Sequence, residues 1–192
     1  MVSSHMKLLI FLLLGFSFFI LGLEAILFTW AIFDFFNQKY DHTTIPASKN
    51  KFIGIYIFLM FFPFIMIVGT AGEYFLGEFE KQNSVNQLQN RITELGFNFL
   101  FSVLVFSPIV EEFYFRKLLF NEIYLHYGAF FSVLVTAMLF SAVHFNIYAF
   151  PVLFVLGLSL GVVKIFSANV FNSILCHSFF NLFMLFQIIY KV

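Results

Sequence analysis

Few ionisable side chains interrupt the apolar stretches of this sequence: Glu24, Glu111, Glu112, Arg116, His144 and His177. A carboxylate, two imidazoles and an amide are enough to hydrolyse a peptide bond. A base must take a proton from water, donors must hold the oxyanion, and the leaving amine must receive a proton. Glu111 and Glu112 close an apolar run entered through Ser107-Pro108, and Arg116 follows. Residues four apart lie about 40° apart around a helix, and residues five apart about 140°. Arg116 therefore pairs with Glu112 along one face and poorly with Glu111. That leaves Glu112 neutralised and structural. Glu111, on another face with no local cation, is the candidate general base. Pro108 lacks an N–H three residues before Glu111, so the helix is expected to be irregular there.

His144 lies four residues after Phe140, late in its apolar stretch, and His177 and Asn181 stand at i and i+4 of the last one. The last two therefore share a helix face. Glu111 with His144 can hold and activate a water, and His177 with Asn181 can stabilise the oxyanion. The set needs no bound cofactor. Plainer readings exist for each group taken alone. Glu112 and Arg116 can end a helix at an interface, His144 can be a satisfied helix-end group, and His177 and Asn181 can bond helix to helix.

These groups need elements to hold them together. The chain has 192 residues, 61% hydrophobic and only 10% charged, with 34 Phe spread along its length. Soluble domains are about a quarter charged, so a soluble enzyme, a disordered chain and a disulfide scaffold are all excluded. Ten basic and ten acidic residues give zero formal charge and no patch for nucleic acid. The partner implied by composition is the lipid bilayer. The length fits a single domain, 1–192.

A spanning helix needs about 20 mostly apolar residues. Six stretches qualify: roughly 7–36, 52–76, 95–119, 129–146, 149–166 and 168–190. The first is too long for a cleavable signal peptide. Polar connections are expected at 38–51, 77–94, 121–128 and 167–169. In lipid the backbone must satisfy its own hydrogen bonds. The predicted fold is thus an all-α polytopic transmembrane bundle of about six spanning helices. Its motif-bearing core covers about 95–190. Asp34, Glu73 and Lys164 fall near predicted helix ends, where snorkelling suffices. Basic residues divide almost evenly between the two sides, so no orientation follows from them.

Three motifs in order, Glu111-Glu112-Phe-Tyr-Phe-Arg116, Phe140-Ser-Ala-Val-His144 and His177-Ser-Phe-Phe-Asn181, resemble those of the CPBP family. This family, also called Abi, contains CAAX prenyl endopeptidases and bacteriocin-processing enzymes. Gly157-Leu-Ser-Leu-Gly161 resembles its glycine-bearing helix. The likeness covers about 100–185. The glycine turn that often precedes the family's last helix is replaced here by Ser167-Ala168-Asn169.

The resemblance implies an intramembrane glutamate endopeptidase that uses no metal. It implies that Glu111 and His144 activate the water and that His177 and Asn181 form the oxyanion site. Glu112 and Arg116 match supporting positions. It further implies a peptide or lipidated-protein substrate. The short chain is similar to compact bacterial members, which implies a multi-pass protein of the bacterial cell membrane.

Three rivals belong to other classes. A non-catalytic bacteriocin self-immunity or membrane-binding protein could retain the motifs for structure. A transporter or channel could use a Glu/His relay, but no inverted repeat or matching pair of broken helices supports one. A metalloprotease could bind zinc through Glu and His, but the His-Glu-x-x-His helix is missing from the sequence.

Overall fold

The computed structural model describes Ser48, Asn50, residues 52–76, Asn86, Asn90 and residues 96–190. The first apolar stretch, with Glu24 and Asp34, lies outside the described residues, as does most of 77–94. The described residues form helices and no strand. Helix α1 spans Ile53–Leu76. A long helical run, Gly96–Ala142, follows. Within it lie a π-helical segment at Ser102–Phe106, helix α2 at Ser107–Glu112, a second π-helical segment at Phe113–Leu119, and helix α3 at Phe120–Ala142. Helix α4 spans Phe150–Ser167 and α5 spans Val170–Tyr190. Four of these helical runs are long and apolar enough to cross a membrane. The protein is therefore an all-α polytopic bundle.

The third and fourth apolar stretches differ from expectation, for they belong to one helical run. Residues 121–128 are helical and not a tight connection. Their polarity misled, because Glu122 is buried and His126 donates Nδ1–H to the Glu122 carbonyl at 2.8 Å. The break falls on Gly128 alone, at φ 78° and ψ −178°. That backbone region belongs essentially to glycine. The run therefore bends without a loop. Lys164 also departs from expectation: it is buried in the last turn of α4 and does not snorkel.

Asparagines start three of the helices by accepting backbone N–H groups that a first turn leaves unpaired. Asn50 Oδ1 accepts from Phe52, Asn146 Oδ1 from Tyr148 and Ala149, and Asn169 Oδ1 from Phe171. The α4–α5 turn manages without glycine. Ala168 takes the left-handed conformation, at φ 50°, while Ser167 Oγ donates to Val163 O and accepts from the Asn169 N–H.

Helix α4 is the centre of the bundle and packs against α1, α3 and α5. Small residues set the closeness of that packing. A Cβ on Gly157 would stand 2.9 Å from Ala137 Cα, and one on Gly161 would stand 3.2 Å from a Val133 methyl. Phe58, Ile65, Phe115, Leu119, Phe140, Leu156, Leu160 and Phe180 fill the core. Large apolar side chains such as Met60, Ile67, Phe130 and Leu182 point outward. An outer surface of that kind suits lipid and would be a liability in water.

Candidate active site

The site begins with a register change. In the first π-helical segment Ser107 N–H bonds Ser102 O, one residue further back than in an α-helix. By the same register Val103 O would accept from residue 108, but Pro108 has no N–H. Asn181 on α5 supplies the missing donor, with Nδ2 2.9 Å from Val103 O. The expected irregularity near Pro108 is thus present, and α5 is bonded to it. Helix α2 then carries Glu111 and Glu112 between two π-helical segments. Such bulges are frequent at functional sites, because an extra residue per turn re-aims the side chains around them.

Glu112 and Arg116 are fully buried. Arg116 Nε lies 3.2 Å from Glu112 Oε2, the pairing their spacing predicts. Arg116 Nη2 also donates to Gly157 O at 3.0 Å. The close α3–α4 approach at Gly157 brings that carbonyl within reach. The guanidinium lies 4.9 Å from the centre of the Phe140 ring, a favourable cation–π position. Glu112 Oε1 accepts from His177 Nδ1 at 3.0 Å. A chain of bonds therefore runs from Gly157 through Arg116 and Glu112 to His177, joining α4, α2 and α5.

With its Nδ1–H given to Glu112, His177 turns Nε2 towards Glu111. Nε2 stands 4.0 Å from Glu111 Oε2, too far for a direct hydrogen bond. One oxygen atom can contact both groups across such a gap. The other Glu111 oxygen, Oε1, accepts from Ser107 Oγ. Glu111 Oε2 is buried and has no hydrogen-bond partner in the protein.

Glu111, Glu112, Arg116 and His177 thus form one contiguous cluster. Asn181 lies one turn beyond His177 and is bonded to the first π-helical segment. His144 stands at the edge. It is not late in a helix as expected, because α3 ends at Ala142 and His144 occupies the exposed turn after it. Its Nδ1 lies 2.7 Å from Phe140 O. A carbonyl only accepts, so Nδ1 carries the hydrogen and Nε2 of the neutral ring keeps a lone pair. The Phe140 ring meets His144 at 5.1 Å and His177 at 5.5 Å, edge to face in both cases. No hydrogen bond among the described residues joins His144 to Glu111.

Sequence reasoning missed three features. It paired Glu112 with Arg116 and overlooked His177, which is 65 residues further along. It gave Phe140 no role beyond marking the motif, and Ser107 none beyond helix entry. The signal available for Ser107 was its own spacing, four residues before Glu111 on one helix face. Among the described residues no three His, Cys, Asp or Glu side chains form a metal-binding group.

A polytopic helical bundle that holds acid, base and imidazole groups inside its apolar helices defines a class of integral membrane protein with an internal polar site. Residues 93–183 match the family model described as type II CAAX prenyl endopeptidase Rce1-like. The match contains every site residue named above and bears out the CPBP resemblance of the motifs. The family is one of membrane proteases. No curated protein and no solved structure matches the chain.

Proposed function

We propose that the protein is a glutamate-type intramembrane endopeptidase that uses no metal. Glu111 is the general base, and it activates a water together with Nε2 of His144. The water oxygen bonds to the scissile carbonyl carbon as one of its protons passes to Glu111. The carbonyl π pair moves to oxygen, and the oxyanion is held by Nε2–H of His177 and an amide hydrogen of Asn181. Collapse of that intermediate breaks the C–N bond, and the amine leaves with the proton from Glu111. Glu112 and Arg116 act one step back by fixing His177. The substrate is a peptide or a lipidated protein precursor presented near the surface of a bacterial cell membrane.

One observation carries this reading. A buried carboxylate oxygen without a protein partner faces an imidazole nitrogen across 4.0 Å. The family match over the same residues supports it. The test compares wild type with Glu111→Gln, both purified into liposomes and assayed on peptides found to accumulate in Glu111→Ala cells. Gln keeps the shape but cannot take the proton. Turnover should be abolished, with the melting temperature unchanged and chelators without effect on the wild type. Full turnover by Glu111→Gln would sink the base assignment. Loss of wild-type turnover to a chelator, restored by zinc, would select the metalloprotease instead.

A further inference from the structure

A hydroxyl inside a helix usually donates to the carbonyl one turn back. In this chain Thr70, Ser132, Thr136, Ser141 and Ser167 each donate to the carbonyl four residues earlier. Ser107 does the opposite. Its hydroxyl donates forward, to Glu111 Oε1. The carbonyl it would otherwise use is that of Val103, and Asn181 Nδ2 already bonds to that oxygen. The Ser107 hydroxyl is thereby directed to the carboxylate.

Two consequences follow for Glu111. A carboxylate on a side chain with three torsions has several orientations, and a bond to one oxygen selects among them. Holding Oε1 leaves Oε2 as the oxygen that faces His177 Nε2 at 4.0 Å. Oε2 is also the buried atom with no protein partner. The bonded oxygen and the open oxygen thus have separate tasks.

We propose that Ser107 is a positioning residue for Glu111, with Asn181 keeping its hydroxyl available by occupying the Val103 carbonyl. The inference rests on the reading of Glu111 as base. Ser107 touches neither water nor substrate and acts through the carboxylate. It should therefore govern turnover and not substrate affinity.

The test uses the full chain in liposomes, with Ser107→Ala, Ser107→Thr and Glu111→Gln measured beside the wild type. Alanine is the best helix former, so Ser107→Ala should keep its melting temperature. A hydrogen bond to a charged group is worth about ten- to hundredfold in an equilibrium. Ser107→Ala should lose turnover on that scale with KM unchanged, and Ser107→Thr, which restores the hydroxyl, should recover most of it. A merely structural serine would show a lowered melting point and no such rescue. Wild-type turnover in Ser107→Ala beside a dead Glu111→Gln would overturn the proposal and leave the base intact. An active Glu111→Gln would remove both.

Discussion

Asn181 commits one amide hydrogen to Val103 O, and a side-chain amide carries two. The residue can therefore tie α5 to the first π-helical segment and still offer a donor to an oxyanion. The two roles differ greatly in size. An interhelical hydrogen bond in a membrane averages about 0.6 kcal/mol. Removal of an oxyanion donor costs about 2.7–4 kcal/mol, or roughly a hundred- to thousandfold in turnover. Asn181→Ala should thus lose activity on the larger scale, in kcat more than in KM, with only a small fall in melting temperature. Steady-state kinetics and a melting curve on the same sample check this. Near-normal turnover with a lowered melting point would leave Asn181 as helix glue alone. The residue scale also marks how far spacing can be read. Arg116 meets Glu112 because both stand on one helix four residues apart, and a linear pattern contains that information. The Glu112–His177 bond joins separate helices, and no periodicity reports which helix lies beside which.

At the scale of elements, two glycines do different work and their substitutions should fail for different reasons. Gly128 breaks the run at φ 78°, and a Cβ there would meet nothing within 4 Å. Space is open and only the backbone objects. Gly128→Ala should cost about 1–3 kcal/mol through conformation. Gly157 lies in regular helix, but a Cβ would press on Ala137. Gly157→Ala should cost about 1–3 kcal/mol through overpacking. It should also separate Arg116 from its carbonyl partner and so disturb turnover. Chemical denaturation and activity, measured on both variants, test the contrast. Pairing Gly157→Ala with Ala137→Gly should recover stability, whereas Gly128→Ala should gain nothing from that partner change. Equal rescue of both would contradict the distinction. The four long apolar runs were legible because burial in lipid leaves a strong compositional mark. The continuity at 121–128 was not legible. Polar residues in a row read as a loop unless it is known that Glu122 is buried and His126 bonds back to it.

The whole molecule must bring water to a site enclosed by helices that face lipid. Gly96–Ala142 is 47 residues long, about 70 Å of helix at 1.5 Å per residue. The hydrocarbon layer is about 30 Å thick, so this run cannot be one straight crossing, and its break at Gly128 is where direction changes. The turn after α3 has a further constraint. Its backbone is not helical, and irregular backbone does not face hydrocarbon. That turn holds His144 and, beside it, Phe145, which is 78% exposed. The turn should therefore lie at a wet boundary, with His144 between bulk water and the buried carboxylate. Nitroxide labels on introduced cysteines can map this in liposomes. Cys176 is buried, so the label attaches at the chosen site. Labels replacing Met60, Ile67 and Leu182 should be relaxed by oxygen and shielded from a water-soluble nickel chelate. A label replacing Phe145 should be reached by the chelate. If all four are equally wet, the bundle does not present those faces to lipid. If Phe145 is as dry as the others, His144 cannot be the point at which water enters, and Glu111 must draw its water from another side of the bundle.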